Sequence, residues 1–404
     1  MQTVAMIVWN DFKNDARVLK EAQTLQAAGY QVIVHALHTP GVTQEYETLE
    51  SGVKVVRVMR SPFWNKRQNK SQEQSNVNQN PYINKVGIKK FFWIASRIWT
   101  HLLLLMKMLQ AKPDVIHAHD VNTLPTAYLA SIFARAPLVY DAHEVSTGRE
   151  GYHSFRKIVY YTEKFLMPKA KATITTTTTR AKFFARAYHI QRPIVLQNRP
   201  RLTSPQKTNK IRDELNLHEN WPIVLYQGGL QQGRGLERLL DAASKVPNTY
   251  FVYIGGGRLE TLLKDKAKAL HLENKVYFIP TVSLAILPLY TASADMGVQV
   301  LENTCFNHYS TDSNKLFEYI IAGLPIIATH FPEIAKVIRQ YDLGMLIPPG
   351  NTDALITALR TLSADPTVRK HYHHNAASAS KNLNWEEQEQ ALIDLYTKLP
   401  IHKS

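Results

Sequence analysis

The chain of 404 residues lacks the features of several protein classes. Its single cysteine, Cys305, excludes an intramolecular disulfide framework and a cysteine-rich metal site, and it suits a reducing cytosol. The most apolar segment, residues 89–109, is interrupted by Arg97, His101 and Lys107, so it is not predicted to span a membrane. The N-terminus has no basic leader and no small-residue cleavage site, which favours a first buried strand over a signal peptide.

Common nucleotide-binding and catalytic motifs are also missing. The first strand continues into WNDFKND (9–15) and not into a glycine-rich turn, which argues against a dinucleotide-binding oxidoreductase. The sequence contains no P-loop, no GxSxG nucleophile elbow, no closely spaced set of metal ligands and no Asp-x-Asp pair. We therefore expect no bound metal and no organic cofactor.

Charge is distributed unevenly along the chain. Residues 205–404 hold 20 Lys and Arg against 20 Asp and Glu, so the whole net charge of +15 lies in residues 1–204. A basic half beside a neutral half indicates that one region binds a small ligand and the other faces a polyanion or an anionic membrane. A solvated basic surface without a partner is the alternative.

Short apolar runs alternate with helix-length segments throughout the chain. This alternation predicts an α/β fold with two Rossmann-like, doubly wound parallel sheets. We expect an N-terminal unit over residues 1–204 and a C-terminal unit over 205–380, joined in the polar stretch 198–210. Ligands of such sheets bind at the carboxyl ends of the strands, here in a cleft between the units.

Two segments of the first half break this alternation. Residues 65–81 are almost devoid of apolar side chains and are predicted to form a mobile loop. Residues 89–109 and 155–171 mix aromatic with basic side chains, a composition typical of proteins that attach to a bilayer interface. A helix packed on the sheet is the alternative interpretation of 89–109.

The segment YQGGLQQGRGLERLL (226–240) is predicted to form a strand, a glycine loop and a helix. Gly228 and Gly229 would let the backbone approach a phosphate, and Arg234 stands just before the helix. A helix N-terminus together with a guanidinium suits a diphosphate, although an ordinary turn with a solvated arginine fits the same residues.

A second helix is predicted to begin within YSTDSNKLFEY (309–319). Ser310 to Asn314 are all helix-capping residue types, and Lys315 and Glu318 follow in the first turns. The ammonium and the helix dipole would attract an anion, and the carboxylate could accept hydrogen bonds from a cis-diol. A solvent-exposed pair of Lys315 and Glu318 is the alternative.

In this order, these elements resemble the retaining glycosyltransferases of family four, which have the GT-B fold and include bacterial enzymes of capsule, exopolysaccharide and glycolipid synthesis. The resemblance covers nearly the whole chain, because the first half carries matching segments at the expected places and residues 381–404 resemble the family's terminal helix, which crosses back to the N-terminal domain. The segments that carry it are DVIHAHD (114–120), LVYDAHE (138–144), IVLQNRP (194–200), GMLIPPGN (344–351) and NWEEQEQALIDLYTKL (384–399).

The resemblance implies roles for individual residues. Arg234 takes the place of the lysine that binds the donor diphosphate, and Leu316 would donate its backbone N–H to a phosphate. Glu318 matches the acid that holds the nucleotide ribose, and His143 matches the histidine that faces the transferred sugar.

Two positions depart from the family pattern. Ser310 stands where the family has a carboxylate that contacts sugar hydroxyls, and Gly229 stands where it commonly has an arginine. Lys315 could restore the missing positive charge. We nevertheless expect Ser310 to contact the donor, and Ser310 and Asn314 complete the expected donor-binding set.

The resemblance implies transfer of a sugar from a nucleotide diphosphate sugar, with UDP-sugars favoured over GDP-sugars and no metal required. We expect a lipid-linked or glycan acceptor, held by the basic half at Asp15, Arg17 and Asp120, on a protein attached peripherally to the cytoplasmic face of the cell membrane. A transferase or nucleotide-sugar epimerase with a soluble substrate is the first alternative. A nucleic-acid-binding protein is the second, and it has no recognisable binding motif in its favour.

Overall fold

The chain folds into two α/β units, each built around its own sheet. A computed structural model describes residues 1–60, 85–148, 155–203 and 207–401, without the side chains of residues 85–91 and 93. Unit 1 comprises Met1–Thr175, Lys182–Ile194 and Ala391–Ser404, and unit 2 comprises Thr176–Ala181 and Val195–Gln390. The loop predicted at 65–81 lies outside the described residues.

Unit 1 contains an eight-stranded sheet with the order β3-β4-β2-β1-β5-β6-β7-β8. Strands β1, β2, β4, β5, β6 and β7 pair in parallel, and the short β3 runs antiparallel to β4. Strands β5 and β6 are buried along their whole length, as expected for a parallel sheet covered on both faces. The strands are β1 (Thr3–Ile7), β2 (Gln31–His38), β3 (Tyr46–Thr48), β4 (Lys54–Met59), β5 (Val115–His119), β6 (Leu138–Ala142), β7 (Ala172–Thr175) and β8 (Ile194–Val195).

Five helices accompany these strands in the described residues. The Asp15 carboxylate accepts a hydrogen bond from the Val18 N–H at 3.2 Å and so caps the first of them. These helices are α1 (Ala16–Ala27), α2 (Lys85–Gln110), α3 (Leu124–Ala134), α4 (Arg156–Leu166) and α5 (Thr178–Tyr188). None of the helices in the described part of the chain is both long and apolar enough to cross a membrane.

Unit 2 contains a six-stranded, fully parallel sheet with the order β11-β10-β9-β12-β13-β14. Apolar clusters cover both of its faces, so each buried strand is sandwiched between helices. The strands are β9 (Ile223–Gln227), β10 (Tyr250–Ile254), β11 (Val276–Ile279), β12 (Met296–Gln299), β13 (Ile326–Thr329) and β14 (Gly344–Ile347).

The helices from residue 210 onward complete the fold. The last of them begins in unit 2 and ends in unit 1, because residues from Ala391 onward belong to unit 1. They are α6 (Lys210–Leu215), α7 (Leu236–Ala243), α8 (Glu260–Ala269), α9 (Leu287–Ser293), α10 (Phe306–Tyr309), α11 (Asn314–Ile321), α12 (Pro332–Tyr341), α13 (Thr352–Ala364), α14 (Pro366–Ser380) and α15 (Glu386–Thr397).

The chain changes unit at Val195, before the polar stretch 198–210 that the sequence suggested as the boundary. Residues beyond Val195 already bond to unit 2: the Gln197 N–H donates to Gln388 Oε1 at 3.0 Å, and the Trp385 N–H donates to the Pro200 carbonyl at 2.8 Å. These bonds also explain why β8 has only two residues, since Gln197 bonds to a side chain and not to the sheet.

Candidate active site

Two glycine loops meet backbone to backbone at the carboxyl end of β9. Gly228 has φ +126° and Gly255 has φ +138°, and a Cβ at Gly255 would lie 2.2 Å from the Gly228 carbonyl oxygen. The Leu230 N–H donates to the Gly256 carbonyl at 3.0 Å and joins the two loops. A side chain at Gly255 would force the loops apart, so glycine there fixes the path of the loop that leads to Arg234 and α7.

Helix α11 begins beside this loop. Its N-cap residue, Ser313, has φ +50°, a conformation that costs a non-glycine residue free energy. In the described structure the Ser313 side chain makes no capping hydrogen bond, but the Ser313 carbonyl accepts a hydrogen bond from the Leu316 N–H at 3.2 Å. The backbone donor that the resemblance assigns to a phosphate is thus already engaged. The positive end of the helix dipole therefore lies at Asn314, Lys315 and Leu316.

The Lys315 side chain is buried between an aromatic ring and a glycine. Its Nζ lies 4.5 Å from the ring centroid of Tyr226, and a Cβ at Gly228 would lie 3.4 Å from it. Burial, and then the positive charge of Arg234, lower the pKa of Lys315 to about 7, although Glu318 acts in the opposite direction. The cationic side chains of Lys315 and Arg234 thus lie close together, and the carboxylate of Glu318 only partly offsets their positive charge.

Glu318 lies one turn further along α11 and is half-buried. Its carboxylate accepts a short hydrogen bond from the Gln227 amide, which in turn accepts one from the Thr291 hydroxyl at 2.8 Å. These bonds hold the carboxylate beside the carboxyl end of β9. The structure thus brings Gly228, Arg234, Lys315 and Glu318 into one neighbourhood, with Gly229 and Asn314 at its edge.

Ser310 differs from its predicted role as a donor contact, because its side chain is fully buried. The Ser310 hydroxyl donates to the Phe306 carbonyl at 2.7 Å and accepts from Arg180 Nε at 3.1 Å. Arg180 also donates to the Thr176 hydroxyl at 2.7 Å and to the Asn307 carbonyl at 3.1 Å. Ser310 therefore holds a buried arginine in place and has no exposed surface to offer a sugar.

In unit 1, His143 follows β6 and lies between two carboxylates. Its Nε2 is 3.0 Å from Asp141 Oδ2, and its Nδ1 is 3.8 Å from Asp120 Oδ2. Burial alone would lower the pKa of His143, but Asp120 and Asp141 outweigh it and raise the pKa to about 10. His143 is therefore an imidazolium at neutral pH, a double hydrogen-bond donor.

Arg17 also differs from its predicted role as an acceptor contact. It is 3% exposed, and its guanidinium donates to both oxygens of Asp141, at 2.7 and 2.9 Å. Arg17 Nε lies 3.2 Å from Glu21 Oε1 as well. The side chain is fully engaged inside the unit, so Arg17 orients Asp141, which in turn holds His143.

The two carboxylates beside Arg17 differ in ionisation. Asp141 would have a raised pKa from burial alone, but Arg17 and His143 hold its pKa well below the usual range. Burial, and then the charge of Asp141, raise the pKa of Glu21 to about 8. Arg17 thus lies beside two carboxyl groups, of which Asp141 is ionised and Glu21 is largely protonated at neutral pH.

This cluster continues to the last helix. His117 Nε2 lies 3.8 Å from Glu21 Oε2, and His117 Nδ1 lies 2.8 Å from the Tyr396 hydroxyl of α15. The potential ligand atoms of Glu21, His117, His119 and Asp141 lie within 4.8 Å of one another, the spacing of a metal site. Arg17 already takes both Asp141 oxygens, so a metal ion would have to displace a buried guanidinium.

The remaining predicted acceptor residues lie at the same sheet edge. Asp15 caps α1 and accepts from the Asn10 amide at 2.8 Å, and Asp120 adopts φ +62° beside His143. Sequence reasoning missed Asp141, Glu21, Tyr226 and Gln227. The only signal for them was their place at the ends of predicted strands or one turn from a predicted residue, since their partners are far away in sequence.

Comparison with known proteins gives the same family for both units. The family model for glycosyl transferases group 1 matches residues 207–379, and the model for a glycosyl transferase 4-like domain matches residues 15–198. Together the two models span almost all of both sheets.

Individual relatives are distant but cover most of the chain. Sulfoquinovosyl transferase SQD2 of Arabidopsis thaliana is 23% identical over 97% of this chain and 72% of its own length. Phosphatidyl-myo-inositol mannosyltransferase of Mycobacterium leprae is 23% identical over 70% of this chain and 73% of its own length. HepE of Anabaena, solved with UDP-glucose, superposes with a TM-score of 0.74 at 17% identity over 99% of this chain and 100% of its own. With these matches, the chain belongs to the group 1, family 4-type glycosyltransferases and has their GT-B fold.

Proposed function

We propose that this glycosyltransferase uses a nucleoside diphosphate sugar, a UDP-sugar in preference to a GDP-sugar, and transfers the sugar to a hydroxyl group of a lipid-linked or glycan acceptor with retention of configuration. The observation that carries the donor assignment is the paired charge of Arg234 and Lys315 at the N-terminus of α11. A buried lysine beside a half-buried arginine, with one carboxylate near them, is stabilised by an anionic ligand. The UDP-glucose bound to HepE supports a uridine nucleotide.

Each donor-side residue then has a defined task. Arg234 and Lys315 would bind the diphosphate, and the Asn314 N–H would donate to its oxygens. The Leu316 N–H would have to leave the Ser313 carbonyl to donate to a phosphate. Glu318 would accept hydrogen bonds from the ribose diol. Gly228 and Gly229 leave room for the diphosphate to approach the backbone.

In the reaction, the bond between the anomeric carbon and the diphosphate oxygen breaks, and a bond from the acceptor oxygen forms on the same face. The acceptor proton passes to the leaving diphosphate, so no nucleophile from the protein is required. Negative charge grows on the diphosphate, where Arg234, Lys315 and the helix dipole stabilise it. The His143 imidazolium, held at Nε2 by Asp141, would donate a hydrogen bond from Nδ1 to the sugar.

On the acceptor side, Asp15 and Asp120 remain the proposed contacts, and Arg17 acts through Asp141. The basic charge of residues 1–204 and the similarity to the phosphatidyl-myo-inositol mannosyltransferase of Mycobacterium leprae support a lipid acceptor. We propose that the protein works at the cytoplasmic face of the membrane and needs no divalent metal. Retention of full activity in excess EDTA would support the last point.

The test is a thermal-shift panel with UDP, GDP, ADP, dTDP and NAD. We expect one nucleoside diphosphate, UDP, to raise the Tm of the wild type, because a ligand that binds only the folded state stabilises it. Arg234→Ala should abolish this shift. Arg339→Ala removes an exposed arginine on α12 and serves as the matched control. The proposal would be contradicted if no nucleoside diphosphate raised the Tm of the wild type. It would also be contradicted if Arg234→Ala and Arg339→Ala lost the Tm shift equally.

A further inference from the structure

Helices α2, α3 and α4 of unit 1 line a cavity of about 680 Å³ that is open to solvent on one side. This volume lies within the range of small-molecule sites, about 300 to 1,000 Å³. Its walls are mainly aliphatic, with Ile98 and Leu105 from α2, Leu129 from α3, and Ile158 and Val159 from α4. The cavity is therefore built to exclude water from an apolar ligand.

Apolar side chains continue from the mouth of the cavity onto the surface. Along α2, one stripe at a spacing of four residues is about half exposed, and α4 adds a second stripe that is about two-thirds exposed. Exposed apolar patches of this extent mark binding surfaces. The residues are Ile94, Ile98, Leu102 and Met106 on α2, and Ile158, Tyr161 and Phe165 on α4.

One end of the cavity is polar. Arg97 donates to Asn122 Oδ1 at 2.9 Å and lies over the Trp9 ring, 4.7 Å from its centroid. The His101 ring stacks on the same indole at 4.2 Å, and its Nδ1 is 2.7 Å from the Thr126 hydroxyl. Arg97, His101, Asn122 and Thr126 all line the cavity, so one end offers a cation and hydrogen-bonding groups.

This polar end adjoins the acceptor side of the candidate site. Asn122 lies two residues after Asp120, whose carboxylate is 3.8 Å from the His143 ring. A ligand with its polar group at Arg97 would therefore place that group near the residues assigned to the acceptor.

Charge on the three helices favours an anionic ligand. The sequences of α2 and α3 contain no acidic residue, and the only one in α4, Glu163, is buried and accepts a hydrogen bond from the Tyr140 hydroxyl at 2.6 Å. Arg156, Lys157 and Lys164 of α4 are exposed. A second copy of this chain would bring like charges together on this face, whereas an anionic lipid would neutralise them.

We propose that the cavity between α2, α3 and α4 binds one hydrocarbon chain of an anionic acceptor lipid, with Arg97 beside its phosphate. The inference rests on the proposed lipid-linked acceptor and extends it by assigning a binding site for the hydrocarbon chain. The apolar stripes on α2 and α4 border the membrane where the chain enters.

The probe is farnesyl phosphate, used below its aggregation threshold and titrated by calorimetry into the full chain. We expect saturable binding with one site. Leu129→Glu places a carboxylate in the apolar wall and should weaken binding about tenfold or more, because a charge next to a hydrocarbon chain is poorly solvated. Ile132→Glu lies one turn away on α3, half exposed and not part of the cavity wall, and should bind like the wild type.

Two further variants keep the test decisive if Leu129→Glu fails to fold. Leu105→Trp fills the cavity from α2 and should also weaken binding. Arg97→Gln should weaken binding of farnesyl phosphate but leave binding of farnesol unchanged, since only the former carries the anion.

The outcomes separate this inference from the proposed function. Absence of binding to the wild type, or equal losses in Leu129→Glu and Ile132→Glu, would overturn the cavity assignment, and so would a stable dimer that buries this face. If UDP still raises the Tm in an Arg234-dependent manner, the donor assignment survives that result. Loss of UDP stabilisation together with intact farnesyl phosphate binding would instead overturn the proposed donor and retain the lipid site.

Discussion

Two cations, the half-buried His143 in unit 1 and the buried Lys315 in unit 2, occur in opposite electrostatic surroundings. Asp141 and Asp120 lie within 4 Å of the His143 ring and raise its pKa to about 10. Lys315 is buried near another cation, Arg234, and its pKa falls to about 7. Unit 1 thus neutralises its cation with its own carboxylates, whereas unit 2 leaves positive charge for a ligand to neutralise. This difference supports the proposed diphosphate site in unit 2 and the proposed role of His143 as a charged hydrogen-bond donor in unit 1.

The strongest test of this contrast removes the carboxylate that balances unit 1. Asp141→Asn leaves Arg17 buried without its main partner, so we expect the free energy of unfolding to fall by about 3 to 5 kcal/mol. The pKa of His143 should fall as well, because one of its two carboxylates is lost. Urea denaturation measures the first effect, and the NMR titration of His143 measures the second.

Asp265→Asn is the control, since Asp265 is exposed on α8. It should change stability by less than about 0.5 kcal/mol. A loss in Asp141→Asn no larger than in this control would show that Arg17 does not depend on Asp141.

We expect pH to have a smaller effect, on the affinity of unit 2 for UDP. The pKa of Lys315 is about 7 in the free protein, so the side chain loses its charge as the pH rises above that value. Binding of UDP should then require uptake of a proton, and the affinity should fall by up to about tenfold per pH unit between pH 7.5 and 9. Calorimetric titration in buffers of different ionisation enthalpy measures the proton uptake directly.

Lys315→Met retains the length of the side chain and removes the titrating group. Its UDP affinity should be lower at pH 7.5 and nearly independent of pH above it. A pH dependence that persists in this variant would assign the proton to another group.

The smallest change in stability is expected when Glu21, the second carboxyl group beside Arg17, is replaced. The pKa of Glu21 is raised to about 8, so at pH 7 the group is largely protonated and resembles a glutamine. Because the folded-state pKa exceeds that of the unfolded chain, Glu21 contributes less stability as the pH rises from about 4.5 to 8. Glu21→Gln should therefore be no less stable than the wild type at pH 7, by urea denaturation, and should lose this part of the pH dependence.

A clear destabilisation of Glu21→Gln at pH 7 would mean that Glu21 is ionised beside Arg17. The contrast between Asp141 and Glu21, and with it the account of unit 1, would then need revision.

Much of the fold could be predicted because parallel strands are continuous apolar runs. The runs at 114–119, 137–142 and 222–228 correspond to β5, β6 and β9. The three-residue β3 was missed because a strand so short and mostly exposed has no apolar pattern.

The candidate site was less accessible to sequence reasoning. Local patterns identified the glycine loop, Arg234 and the start of α11, since these features depend on neighbouring residues. Burial of Arg17 and Ser310 depends on partners 124 and 130 residues away, Asp141 and Arg180, which no local pattern reveals. The exposed roles predicted for Arg17 and Ser310 differ from the structure for this reason.

The glycine loop after β9 also bears on how this enzyme could change over evolutionary time. Gly228 and Gly255 are fixed by their backbone conformations and their contact, but Gly229 has an ordinary φ, and a Cβ there would meet only Gln231 Cγ at 3.5 Å. Position 229 is therefore open to a side chain without rebuilding the loop. A lineage could gain or lose an arginine at this position by a single substitution, and with it adjust how strongly the proposed diphosphate site retains its ligand after transfer.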